Sequence, residues 1–276
     1  MVQQVGDRPA ALKAAVVAFL AIVVAAIAIA PQAWAQAAPP DRRAVSDGEE
    51  DNGLPIWYQD ADRTRVFQCL GDQALCAIED PNAVDEVVYW SGEASMPVGG
   101  QEGEARLVMA VEGAFDPDAG GTPITGSVIS VDADGLRPNT AYTVSHPYGG
   151  FRVRTDADGA FPRNANTLAE AGCDIEAGQQ CNFALALRSP VFRNLLRWDA
   201  TRPAPPQGYL GDPERLHTVV GSPVRDAANR PQNYFRIEGP RAGGPGDERA
   251  QVNRFSIVGQ LNRDTDTALA PPETDQ

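Results

Sequence analysis

Leu136-Arg137-Pro138-Asn139-Thr140-Ala141-Tyr142-Thr143-Val144 is the stretch from which the fold can be read. Pro138-Asn139 is turn chemistry, and the residues after it alternate, so that Tyr142, Val144 and His146 fall on one face of a strand. The flanks agree with that reading. Ser127 to Val131 alternates before it, and Tyr148-Gly149-Gly150 turns the chain into Phe151 to Thr155, where Phe151 and Val153 alternate with Arg152 and Arg154.

The Leu-x-Pro-x-Thr-x-Tyr spacing resembles the corner leading into a late strand of fibronectin type III and related immunoglobulin-like domains. The resemblance implies that the Tyr142 ring packs in the core while its hydroxyl bonds back to the preceding turn. It speaks for a fold and carries no ligand.

Further strands are expected on both sides. Ala105, Leu107, Met109 and Val111 alternate with Glu104, Arg106 and Glu112, although Val108 and Ala110 blur the polar set. Val87-Val88-Tyr89-Trp90 is apolar on both faces, as in the middle of a core. Phe235 and Ile237 alternate with Tyr234, Arg236 and Glu238, and Phe255, Ile257 and Leu261 form the last such set. Val191, Phe192, Leu195 and Leu196 are spaced as a short helical stripe. The expected fold class is all-β: one or two antiparallel β-sandwiches, immunoglobulin- or fibronectin type III-like, preceded by a signal or anchor helix.

That front segment assigns the compartment. Arg8 and Lys13 precede an unbroken apolar run from Ala14 to Ala30, Pro31 ends it, and Ala33-Trp34-Ala35 supplies the small-x-small pattern of a signal peptidase site. The run is near the short end of what spans a bilayer, so an uncleaved anchor is the competing reading. Cleavage after Ala35 is favoured by Pro31 and by the absence of a basic cluster between the run and the Ala pair. The domain expectations are a signal peptide over 1–35, a disordered linker over 36–52, and a β-sandwich domain over 53–165. A second β-rich domain or a continuation of the first covers 166–262, and a disordered tail covers 263–276. The protein is expected outside the cytoplasm, secreted or held to the membrane only through its front.

Cysteine usage agrees with export. The four cysteines form two close pairs, Cys69/Cys76 and Cys173/Cys181, which in an oxidising compartment read as disulfides. Three connectivities are open, and the sequential one closes two short loops. Zinc fits poorly, because the spacings exceed the usual ligand pattern and no histidine lies near either pair.

Charge narrows the chemistry. The chain carries 37 acidic and 23 basic residues, a net charge of −14. Without residues 1–35, which hold Asp7, Arg8 and Lys13, 36 acidic and 21 basic residues remain, or −15. Nucleic acid and anionic membrane surfaces are repelled by that balance. Lys13 is the only lysine, so Schiff-base chemistry, Ser–Lys dyads and lysine phosphate cradles are excluded from the mature chain.

A wider series also looks familiar. It includes Gly53-Leu54-Pro55-Ile56-Trp57-Tyr58-Gln59-Asp60, Cys69-Leu70, Tyr89-Trp90, Tyr142 to Gly149, and Leu196-Arg197-Trp198-Asp199. Gly208-Tyr209-Leu210-Gly211-Asp212, His217-Thr218-Val219, Gly221-Ser222-Pro223 and Phe235 to Pro240 follow in order. The arrangement resembles an uncharacterised family of secreted bacterial β-sandwich proteins over nearly all of 53–261. That family lends no catalytic residues, and Val191 to Leu196 is more helical here than the Gly-containing segment expected of it.

Candidate chemistry is sparse. His146 and His217, the two histidines, sit on strand-like stretches where packing is the default role. No nucleophile elbow, zinc-binding helix or Gly-rich phosphate loop is present, so no catalytic residue and no cofactor are expected. Asp132-Ala133-Asp134-Gly135 and Asp156-Ala157-Asp158-Gly159 repeat one tetrapeptide, and Asp116-Pro117-Asp118 adds an acidic turn. Asp132, Asp134, Asp156 and Asp158 are therefore weak calcium candidates, with tight turns the stronger reading because neither repeat continues into a full ligand loop. Trp57-Tyr58, Tyr89-Trp90 and Trp198 are either core or an aromatic sugar surface. The leading expectation is a non-catalytic structural, adhesive or ligand-binding protein, with the cell envelope as a candidate setting and its partner and binding residues unassigned. A secreted carboxylate-dependent hydrolase of envelope polymers and a calcium-stiffened binding module are the alternatives.

Overall fold

Alternation of side chains between a buried and a wet face governs most of the chain. The structure, a computed structural model, describes residues 42–46, 53–69, 75–76, 86–101, 103–116, 122–162, 182–201 and 203–261. These belong to one compact unit. The fold is predominantly β, and every strand pair is antiparallel.

A small sheet joins β1 (Ala44–Val45), β2 (Trp57–Gln59) and β3 (Arg65–Phe67). Three long strands follow: β4 (Glu86–Val98), β5 (Gly103–Asp116) and β6 (Thr122–Ala133). With β9 (Arg197–Trp198), β10 (His217–Val220) and β13 (Arg254–Val258) they form a six-stranded sheet ordered β6-β5-β4-β13-β10-β9. A four-stranded sheet is ordered β12-β11-β7-β8, from β7 (Ala141–His146), β8 (Gly149–Arg154), β11 (Phe235–Glu238) and β12 (Arg249–Val252). Pairing of β4 with β13 and of β7 with β11 joins strands from both sides of residue 165, so a split there does not divide the sheets.

Most of the expected strand faces are observed, although Leu261 lies half-buried beyond β13 and Tyr234, expected on the polar side, is buried. Ala105, Leu107, Met109 and Val111 are buried, as are Tyr142, Val144, His146, Phe235, Ile237, Phe255 and Ile257. The buried faces of the two larger sheets feed one hydrophobic cluster, which also takes Tyr58 and Val66 from the small sheet. A register shift between Val88 and Trp90 interrupts the β4–β5 ladder. It explains how the consecutive Tyr89 and Trp90 are both buried, since a bulge breaks the period of two.

The Tyr142 corner is formed. Its hydroxyl accepts from the Arg137 N–H at 3.1 Å and donates to the Pro240 carbonyl at 3.0 Å. One phenol thus ties the start of β7 to its own preceding turn and to the β11–β12 connection. Gly239, at φ +156°, lies so close that a Cβ there would meet the Tyr142 ring at 2.5 Å. Across the turn into β8, Tyr148 donates its hydroxyl to the Asn194 carbonyl and accepts from the Leu196 N–H.

Two expectations are corrected. Within 36–52, read as a disordered linker, residues 42–46 are placed: β1 pairs with β2, and the Ser46 Oγ accepts from the Ile56 and Trp57 N–H groups. Composition hid this, because the segment is held by backbone pairing, one hydroxyl and the Arg43 guanidinium on the Leu187 carbonyl, with Val45 packing against the core. The helical stripe at Val191 to Leu196 is only partly helical. Short 3-10 segments cover Phe183–Arg188 and Pro190–Arg193, and Asn194 then turns extended (φ −170°, ψ 115°). Leu195 and Leu196 are buried because the Asp60 carboxylate and the Tyr148 hydroxyl take their N–H groups.

Asp60 is the second anchor. It is fully buried, its Oδ1 accepts from the Asp62 and Thr64 N–H groups, and its Oδ2 accepts from Leu195 at 2.8 Å. Burial pushes its carboxyl up from the usual range, and the three N–H bonds pull it back. Asp60→Ala strands those donors and is expected to cost about 3 kcal/mol in a urea melt. Asp60→Asn costs less, because its carbonyl keeps the Oδ1 bonds while its amide faces the Leu195 N–H. Tyr142→Phe deletes an acceptor and a donor without changing the ring, with an expected loss of about 2 kcal/mol; a midpoint equal to wild type would show that the corner bonds contribute nothing net.

Candidate functional site

Strand alternation that buries one face of the four-stranded sheet turns the other outward, exposed at Arg152, Arg154 and Arg249 and largely covered at Tyr234 and Arg236. On that outer face, Arg152 of β8 stands opposite Thr143 of β7, Thr143 opposite Glu238 of β11, and Glu238 opposite Arg249 of β12. The next row is Gly150, Ser145, Arg236 and Gln251, and Arg154 stands opposite Ala141 beyond the first row. Four arginines and one glutamate thus share the face. Gly150 is fixed by the backbone, since a Cβ there would lie 2.5 Å from the Val144 carbonyl oxygen, and the absence of a side chain leaves the sheet flat beside Ser145.

Arg236 is held in place. Its guanidinium lies 4.1 Å over the Tyr234 ring, its Nε donates to the Gln251 Oε1 at 2.8 Å, and its Nη1 is 3.5 Å from Glu238. Stacking and a fixed acceptor remove much of the rotamer freedom that an arginine otherwise loses on binding. Arg249 shares Glu238 at 3.1 Å yet stays 58 % exposed. Arg154 donates to the Asn139 carbonyl. Arg152 is exposed, and among the described residues it makes no ion pair. A shallow depression of about 380 Å³ adjoins one end, lined by Glu238, Gly239, Asp247, Glu248 and Arg249.

The other candidate residues are placed elsewhere. Asp132 is exposed on β6, the Asp134 Oδ1 accepts from the Glu104 N–H, and the Asp156 Oδ1 accepts from the Asp158 and Ala160 N–H groups. A Leu136 N–H to Gly159 carbonyl bond sets the two Asp-Ala-Asp-Gly turns side by side. Among the described residues no group of three or more His, Cys, Asp or Glu side chains is arranged to hold a metal ion. Pro117 and Asp118 lie outside the described residues.

Tyr58, Tyr89, Trp90 and Trp198 are buried, which is the core alternative for the aromatic set. Trp57 is half-buried under the Arg65 guanidinium, 3.9 Å from its ring. His217 stacks on Trp198 at 4.6 Å, and its Nδ1 donates to the Thr218 carbonyl. Among the described residues the buried Gln260 amide and the Trp198 Nε1 have no hydrogen-bond partner, a local cost in stability.

Cys69 and Cys76 form a disulfide, with Cα atoms 5.3 Å apart, and pack with Val258 and Val88 outside the main core. The bond is consistent with an oxidising, extracytoplasmic environment. Cys173 and Cys181 lie outside the described residues, as do the apolar run over 14–30 and the tail over 263–276. Among the described residues no helix is long and apolar enough to cross a membrane.

No family model, curated protein or solved structure matches the chain.

His146 faces inward against the Phe151 ring, and its Nδ1 accepts from the Tyr148 N–H. Burial lowers its pKa to about 4. The folded value lies below the unfolded one, so its contribution is whole above about pH 6.5 and is lost as pH falls towards 4. Wild-type stability should drop over that window by on the order of 3 kcal/mol more than that of His146→Gln, measured by urea melts at stepped pH. Parallel profiles would assign the acid sensitivity to other groups.

Proposed function

We propose that the chain is an exported, non-catalytic protein of β-sandwich type, immunoglobulin- or fibronectin type III-like, with a structural, adhesive or ligand-binding role at or beyond the cell surface. The observation that carries this reading is the division of labour among its side chains. Both histidines and most of the large aromatics are committed to packing, whereas three arginines of the four-stranded sheet, Arg152, Arg154 and Arg249, stand exposed on its outer face around the largely covered Arg236. A flat strand face suits binding an extended partner better than enclosing a reacting bond. The Tyr142 corner supports the sandwich assignment. The Cys69–Cys76 disulfide and the Ala33-Trp34-Ala35 site support export.

One observation favours a second reading, a secreted carboxylate-dependent hydrolase. The depression beside β11 and β12 gathers Glu238, Asp247 and Glu248. Against it, Glu238 is engaged by both Arg236 and Arg249, so its oxygens are taken up in ion pairs within the sheet.

The two readings separate on a panel of envelope polysaccharides and peptidoglycan with the full-length protein. No release of reducing ends is expected. Turnover abolished by Glu248→Gln would replace the binding reading with the hydrolase. Amino-terminal sequencing of the native protein is expected to start at Gln36, and a start at Met1 or Val2 would overturn cleavage.

A further inference from the structure

We infer that the outer face of the four-stranded sheet binds an acidic polysaccharide, with the exposed Arg152, Arg154 and Arg249 taking its carboxylates around the largely covered Arg236. The inference deepens the binding-module reading and rests on it. In a chain of net charge −14, this face carries four arginines against Glu238 alone. Strands lie about 4.8 Å apart, so Arg152 and Arg249, in one row on the outermost strands, are separated by about 14 Å at the backbone. Arg236 lies in the next row, about 7 Å further along the strands. Carboxylates repeated along an extended chain meet such a strip at several points; Arg152 offers a whole fork of donors, while Arg154 and Arg249 offer the N–H groups left over from Asn139 and Glu238.

Chemistry between the arginines favours a glycan over a protein. Thr143, Ser145 and Gln251 present hydroxyl and amide groups, and Gly150 leaves the surface level. Protein interfaces need apolar anchors at their centre, yet Leu216 is the only exposed large apolar side chain among the described residues, and it lies on neither β7, β8, β11 nor β12. The acidic remainder of the molecule, including Asp247 and Glu248 at one rim, disfavours a bulky or densely charged polyanion. A single thin chain lying along the arginines meets the least repulsion.

The test is binding of the full-length protein to polygalacturonate, with a neutral glucan, double-stranded DNA and phosphatidylglycerol vesicles alongside. Polygalacturonate is expected to bind at low salt and to weaken at least tenfold on raising salt from about 20 to about 200 mM. Arg152→Ala with Arg249→Ala should weaken binding at least tenfold at an unchanged melting temperature. Arg254→Ala, on the six-stranded sheet, should leave it within twofold. No binding to polygalacturonate, tighter binding to any comparison ligand, or equal loss in the Arg254 variant would each overturn the inference. Those outcomes leave the non-catalytic reading standing, whereas polymer cleavage that persists in the arginine variants would sink that reading instead.

Discussion

Irregular backbone buried against a sheet must find hydrogen-bond partners, and this fold depends on supplying them from buried tyrosines and one carboxylate. Tyr142 serves the Arg137 turn and Pro240, and Tyr148 serves Asn194 and Leu196. Tyr89 donates to the Pro55 carbonyl, and Tyr58 bridges Thr125 and the Phe183 carbonyl. Asp60 holds the β2–β3 turn and Leu195. Each ring also adds apolar area to the core, so a single side chain both packs and satisfies. Burial pushes the Tyr58, Tyr89 and Tyr148 hydroxyls far above the usual phenol range. They therefore remain neutral donors at any pH where the protein folds.

This constraint also explains what could be read in advance. The inward set of β5 and the β7–β8 turn follow from alternation and turn residues, which are local and repeat along the chain, while the Tyr142 corner follows from its resemblance to the fibronectin type III corner. The Asp60–Leu195 bond spans 135 residues, and no local pattern announces it. The same holds for β1, a two-residue strand whose partners are Tyr58 and Gln59. At Val191 to Leu196 the apolar spacing is real, but two buried pairs separated by Arg193 and Asn194 satisfy a 3-10 turn followed by an extended segment as well as a helix. Periodicity alone cannot separate those outcomes.

The candidate face was half legible. Arg152 and Arg154 are the polar members of an alternating strand, and Arg236 and Glu238 those of another. What joins them is the β7–β11 register, with Arg236 opposite Ser145, a pairing across 91 positions of sequence. β12 carried no apolar signature strong enough to predict it, because Arg249-Ala250-Gln251-Val252 buries only a small alanine fully. The face is therefore a product of topology, assembled from residues that look like ordinary surface charge in each strand.

Arginine in place of lysine matters most at this point. With Lys13 the only lysine, every cation of the folded chain is a planar guanidinium. Such a group can lie flat on a sheet, stack on a ring and still present donors at its edge. Arg236 does this over Tyr234 while Gln251 and Glu238 fix its plane. A lysine there would carry the same charge but would meet Glu238 as a point charge, without a planar edge of donors beside the ring. The carboxylate that restrains Arg236 also restrains Arg249, so Glu238 organises the strip even as it lowers its charge. A surface meant only for solubility gains nothing from this arrangement; one that meets a repeating anion gains a fixed donor at its centre.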